Sequence, residues 1–93
     1  MKQIQQVSQL HNYIKNLILE NKSIGFVPTM GCLHEGHESL INKSKKENDI
    51  TIVSIYINPI QFDNKHDYEK YPRNIPADIK KLRKLNCDLL FHP

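Results

Sequence analysis

Two histidines, His34 and His37, stand three residues apart around Gly36 in the stretch Pro28-Thr29-Met30-Gly31-Cys32-Leu33-His34-Glu35-Gly36-His37. A short apolar run, Ile24-Gly25-Phe26-Val27, precedes this stretch and a helix-like segment follows it. That placement suits anion binding. The first N–H groups of a helix lack partners inside the helix and carry partial positive charge. At this spacing both imidazoles can face one side of the first turn, and each can donate a hydrogen bond to a phosphate oxygen. Gly36 has no Cβ, so a flat or bulky ligand can approach the backbone there. An isolated His-x-x-His pair is also common as a cap or on an open surface; the Pro28–Gly31 lead-in is what sets this one apart. Zinc is the competing chemistry. The metalloprotease pattern places its histidines four apart with a glutamate beside the first, whereas here the spacing is three and no third ligand is evident, so no metal site is expected.

A second pair, Asn58 and Gln61, offers neutral amides that can bind hydroxyl and carboxylate groups without adding charge. Asn58-Pro59 alone reads as a turn. Thr29 and Gly31 also suit a tight strand exit. Cys32 has no adjacent base and is expected to be a small packed residue rather than a nucleophile.

The elements that must position these groups follow from periodicity. Ile4, Val7, Leu10, Ile14, Leu17 and Ile18 recur at helical spacing, which predicts an amphipathic helix over about 4–20. Ile24–Pro28 reads as a short buried strand. Gly36–Asn48 reads as a helix with Leu40 and Ile41 facing inward and a solvated, lysine-rich outer face at Lys43–Lys46. Thr51–Ile57 is the clearest strand, a β-branched run of the kind covered on both faces in a parallel sheet. Asn58–Arg73 reads as a polar loop carrying Pro59 and Pro72. Ile75, Ile79, Leu82 and Leu85 mark a last helix, with Asn74 and Pro76 as start signals, and Cys87–Phe91 makes a third strand. The expected fold is therefore α/β: a Rossmann-like half of a doubly wound parallel sheet, three strands with flanking helices. Ligands bind such sheets outside the carboxyl ends of the strands. The segments Pro28–His37 and Asn58–Phe62 both leave that end, so they should converge on one site.

Composition removes several classes of function. The 93 residues suit one small domain, and 39% hydrophobic with 25% charged residues reads as globular. No apolar run approaches the ~20 residues of a membrane span, and Met1-Lys2-Gln3 opens no signal-like apolar core, so no membrane partner is expected. The net charge of +3 is mild. Its lysines are spread over 43–46, 65–70 and 80–84 without interleaved aromatics, so no nucleic-acid partner is expected. Cys32 and Cys87 form no CxxC or zinc spacing, which suggests reduced thiols and a cytoplasmic protein.

Taken together, Phe26-Val27-Pro28-Thr29-Met30-Gly31, Leu33-His34-Glu35-Gly36-His37, Val53-Ser54-Ile55, Asn58-Pro59, Gln61-Phe62 and Tyr71-Pro72-Arg73 closely resemble the amino-terminal part of the pantoate–β-alanine ligase (pantothenate synthetase) family. The likeness covers about residues 24–93 and, more loosely, the first helix. HxGH alone marks the wider nucleotidyltransferase superfamily; the Pro-Thr-Met-Gly lead-in with Asn-Pro-x-Gln-Phe narrows it to this ligase.

The resemblance implies an ATP-dependent ligase of the coenzyme A pathway. Pantoate carboxylate attacks the α-phosphorus of ATP to give pantoyl adenylate and pyrophosphate. The β-alanine amine then attacks the adenylate to give pantothenate and AMP. Magnesium accompanies ATP, and the full-length family enzyme is expected to be a homodimer. His34 and His37 carry the catalytic role. ATP binding falls to Pro28, Thr29, Met30, Gly31, His34, Gly36 and His37, pantoate binding to Met30, Asn58 and Gln61, and Phe62 and Tyr71 flank the site. Cys32, Glu38 and Tyr56 depart from the family's usual alanine, apolar residue and phenylalanine. Residues 1–93 make up part of the nucleotide-binding domain. The rest of that domain and the carboxyl-terminal domain are absent from them, so the 93 residues alone are expected to be inactive. Two other readings stay open: a non-catalytic nucleotide-binding half-domain, and another HxGH nucleotidyltransferase. Asn58–Phe62 weighs against the last, because a phosphate substrate would call for more cationic groups there.

Overall fold

The β-branched run around Val53 forms the central strand of the molecule. In a computed structural model describing residues 1–93, the chain order is β1 (Lys2–Ile4), α1 (Val7–Leu19), β2 (Ile24–Thr29), α2 (Glu35–Glu47), β3 (Ile50–Ile55), a 3₁₀ turn (Pro59–Gln61), α3 (Lys65–Lys70), α4 (Ile75–Lys84) and β4 (Leu89–Phe91). The strands form one sheet in the order β1-β4-β3-β2, and every pair is parallel. β2 and β3 are in register from Ile24 opposite Ile50 to Thr29 opposite Ile55. Their carboxyl ends therefore finish side by side.

Successive strand residues point to opposite faces, and both faces are covered. On one, α1 lays Leu10, Tyr13 and Ile14 over Ile4, Ile52 and Leu89. On the other, Ile41 of α2 and Leu82 of α4 pack on Val27, Val53, Ile55 and Leu90. This double cover is why β3 is buried from Thr51 to Ile55. A hydroxyl on that run needs a partner: Thr51 Oγ1 meets Ser44 Oγ of α2 at 2.7 Å.

The sheet has four strands, not the expected three. β1 is only three residues long, too short for a period-2 pattern to register, and Ile4 falls in phase with the helical repeat that follows. The first helix accordingly starts at Val7 rather than near residue 4. The Asn58–Arg73 segment is also more ordered than the loop expected there. It contains the 3₁₀ turn and α3, and Asn64 caps α3 by accepting the Asp67 N–H at 2.8 Å. Leu40 does not face inward; it is 56% exposed while Ile41 is fully buried. The start signals of α4 hold, with Asn74 Oδ1 accepting the Ala77 N–H and proline in the first turn.

Candidate active site

The turn between β2 and α2 is built from backbone conformations that side chains resist. Gly31 has φ +84° and Cys32 φ +51°. A Cβ on Gly31 would lie 3.1 Å from Asp78 Oδ2 and 3.2 Å from Ile55 Cγ2, so glycine is needed here for space as well as for its φ. Thr29 ties the strand end: its hydroxyl donates to the Ser54 carbonyl (2.9 Å) and accepts the Gly31 N–H (3.1 Å). Asp78 of α4, 2% exposed, accepts the Cys32 N–H on Oδ2 and the Leu33 N–H on Oδ1, each at 3.0 Å. Lys81 Nζ donates to the Leu33 carbonyl.

α2 then starts on a reciprocal cap made by the two histidines. His34 Nδ1 accepts the Gly36 N–H at 3.0 Å, and His37 Nδ1 accepts the His34 N–H at 3.2 Å, with ring centroids 4.2 Å apart. Both Nδ1 atoms are acceptors, so this network assigns the proton of each neutral ring to Nε2. Each histidine thereby presents a free Nε2–H donor. The Glu35 backbone N–H makes no hydrogen bond within the chain, as befits the first turn of a helix, while the His37 N–H is taken by the His34 side chain in the same cap. His37 is held below its ordinary pKa of 6.5, first by burial, then by His34, with Asp78 opposing and Lys81 adding to the shift. Near neutral pH it is an uncharged donor.

Beside this turn lies a cleft of about 450 Å³ lined by Pro28, Thr29, Met30, His37, Ser54, Tyr56, Asn58 and Gln61. Asn58 Oδ1 accepts the Ile60 N–H and starts the 3₁₀ turn, which leaves its Nδ2 free to donate. The Gln61 side chain is exposed and unpartnered. Of the residues singled out from the sequence, Pro28, Thr29, Met30, His37, Asn58 and Gln61 meet in this cleft. His34 stands beside it against the His37 ring, and Gly36 lies in the first turn of α2. Gly31 sits underneath, against Asp78. Phe62 and Tyr71 face each other instead, with centroids 5.4 Å apart, and Tyr68 packs on Phe62 at 5.6 Å. Three residues were not assigned to the site from the sequence. Ser54 was legible only as the one hydroxyl inside an apolar strand, and Tyr56 only as its last aromatic. Asp78 gave no signal, since an acid in the first turn of a helix is ordinary.

The sequence model of the family described as pantoate-beta-alanine ligase matches residues 2–93. The chain belongs to the pantoate–β-alanine ligase family. A curated pantothenate synthetase of the family from Francisella tularensis subsp. novicida (strain U112) is 53% identical over 87 residues, covering 94% of this chain and 33% of the relative. One from F. tularensis subsp. tularensis (strain SCHU S4 / Schu 4) is 52% identical over the same length. Among solved structures, the F. tularensis pantoate-β-alanine ligase complexed with β-γ ATP and β-alanine superposes with a TM-score of 0.91 at 49% identity, covering all of this chain and 35% of that one. The pantothenate synthetase of Thermus thermophilus gives 0.87 at 38% identity and 32% coverage. The chain thus spans about a third of the length of these pantoate–β-alanine ligase family members. No helix in it is long and apolar enough to cross a membrane.

Proposed function

We propose that these residues form the amino-terminal part of an ATP-dependent ligase that joins pantoate to β-alanine through pantoyl adenylate. The observation that carries this is the cleft, where the His37 turn and the Asn58–Gln61 turn open onto one space at the carboxyl ends of β2 and β3. His34 and His37 offer Nε2–H donors, and the free Glu35 amide adds a third. Together these bind the ATP phosphates, with Pro28, Thr29, Met30, Gly31 and Gly36 shaping the wall. Asn58 Nδ2, Gln61 and the Met30 backbone bind pantoate.

In the first step the pantoate carboxylate forms a bond to the α-phosphorus as the bond to the β-phosphate oxygen breaks, and pyrophosphate leaves with the electron pair. Negative charge builds on the phosphoryl oxygens and the leaving group. Donors already fixed by the cap stabilise that charge without reorganising. In the second step the β-alanine amine bonds to the acyl carbon, AMP departs and the amine loses a proton. Magnesium belongs to the same reading as a companion of the ATP phosphates, part of the substrate, the usual way this ion meets nucleotide sites. A homodimeric, cytoplasmic enzyme belongs to the same reading, with residues 1–93 as part of its nucleotide-binding domain.

The test is adenylation by the ligase that carries this segment. His34→Ala and His37→Ala should each slow pyrophosphate release from ATP and pantoate, at a barrier cost of about 2.7–4 kcal/mol per lost donor. Unchanged adenylation in both variants sinks the assignment.

A further inference from the structure

Asp78 lies on α4, 45 residues downstream of Leu33, and is almost wholly buried. A carboxylate is costly to bury unless it is fully hydrogen-bonded. Both of its oxygens are used, and both point at the same short turn, taking the amides of Cys32 and Leu33. These are the last two residues before His34. Cys32 holds a left-handed φ that a non-glycine residue adopts only against a steric cost. Something must hold it there, and the carboxylate fork on its own N–H and the next is the device present. The direction in which His34 and His37 leave the turn depends on that conformation. An asparagine could not substitute, because its Nδ2–H₂ would face an N–H and leave one amide unpaired.

We propose that Asp78 is the positioning residue of the histidine cradle: from α4 its carboxylate clamps the Cys32 and Leu33 amides and so sets the aim of His34 and His37. Asp78 does not touch the substrate in this arrangement; it acts through the turn. The inference rests on the reading of that turn as an ATP-phosphate site only for its consequence in binding. The clamp itself can be measured without ATP.

The experiment uses nitrogen-15-labelled 93-residue chain, unmodified and as Asp78→Asn, with Leu82→Ala as a control that weakens the packing of the same helix but removes no hydrogen bond to the turn. Long-range imidazole spectra read the tautomers. In the unmodified chain His34 and His37 should both carry the proton on Nε2. Asp78→Asn should move both toward mixed tautomers and leave His11 and His66 unchanged, while Leu82→Ala should leave all four unchanged. Titration with MgATP and with inorganic pyrophosphate should show affinity reduced roughly tenfold or more in Asp78→Asn. Unaltered tautomers in a folded Asp78→Asn chain overturn the proposal. If that variant does not fold, the unmodified chain decides. Its Cys32 and Leu33 amides should exchange with solvent far more slowly than that of Glu35, and equal rates overturn the clamp. If the unmodified chain binds neither MgATP nor pyrophosphate but the tautomers respond to Asp78→Asn, the phosphate reading has failed and the clamp stands.

Discussion

The turn after β2 and the segment after β3 leave neighbouring strands at the same end of the sheet, yet they are held in different ways. The first is fastened to distant parts of the chain: Thr29 to Ser54, Cys32 and Leu33 to Asp78, Leu33 to Lys81. Leu33 is sunk in the core at 2% exposure. The second is held mostly by itself. Asn58 caps its own turn and Asn64 caps α3. The Arg73 guanidinium donates to the carbonyls of Tyr68, Glu69 and Tyr71 at 3.0, 3.2 and 2.8 Å. From Asn58 to Arg73 its one hydrogen bond outward comes from the Cys32 thiol to the Pro72 carbonyl at 3.4 Å, and Ile60 at its tip is 88% exposed. The side of the cleft assigned to phosphate is therefore tied into the rest of the chain, whereas the side assigned to pantoate is open.

The largest effect that sharpens this contrast is on turnover. The 93-residue chain, assayed with ATP, pantoate, β-alanine and magnesium, is expected to make no pantothenate. An open cleft cannot keep water from an acyl adenylate. Sedimentation in the same preparation should show self-association. β2 is an edge strand, and the Ser23 and Thr29 carbonyls accept the Ile50 and Tyr56 N–H groups, so the alternate residues Ile24, Phe26 and Pro28 turn their backbone groups outward. Pro28 has no N–H to offer there, which is where a sheet tolerates proline. The Ile24 and Phe26 groups remain available to pair with another copy, beside a Phe26 side chain that is 56% exposed. Phe26→Lys should restore a monomer. Turnover at ordinary ligase rates by a clean monomer would erase the distinction between the two sides.

Stability should divide in the same way. Leu33→Ala is expected to cost about 2–5 kcal/mol in denaturant unfolding, as for other buried leucines. Ile60→Ala should stay within about 0.5 kcal/mol. Similar losses at both positions would mean that the second segment is packed after all.

Ligand recognition comes next. In the ligase carrying this segment, Gln61→Ala should weaken pantoate binding by about 1–3 kcal/mol, the usual cost of an unmade hydrogen bond, with ATP affinity nearly intact. Equal loss of both ligands in a calorimetric titration would point to a folding defect, and loss of neither would place Gln61 on the surface.

The smallest effect is on pH dependence. His37 binds its proton less readily folded than unfolded. Between its lowered folded value and the ordinary 6.5, the unfolded chain holds more protons, so stability rises with pH through that window. The contribution is complete above 6.5 and is lost as pH falls through the folded value. Protonation also places a hydrogen on Nδ1, where the His34 N–H must be accepted. Melting temperatures between pH 5 and 8 should fall on the acid side, and fall less in His37→Gln, which keeps an acceptor but cannot titrate. Identical profiles would show that the cap does not feel the charge.

Much of this protein was legible in one dimension because the governing physics is local. The β-branched run of β3, the Asn74-x-Pro76 start of α4 and the glycine-marked exit from β2 each act within a few residues, and the Pro-Thr-Met-Gly lead-in to HxGH with Asn-Pro-x-Gln-Phe sufficed to indicate the family. The parallel-sheet rule places Pro28–His37 and Asn58–Gln61 at one end of the sheet, and the cleft lies there. β1 was hidden because three residues carry no periodicity. α3 was hidden because a six-residue helix with no buried residue leaves no apolar stripe. The inward face given to Leu40 failed because β2 is the edge strand, with nothing beyond it to cover that side of α2. Only the tertiary structure decided what Asp78 does. Its sequence distance from the turn is 45 residues at the nearer amide, and no local preference relates the two. The packing of α4 against β3 and β4 brings its carboxylate beneath the histidines, and a carboxylate buried there must find donors, which the turn supplies.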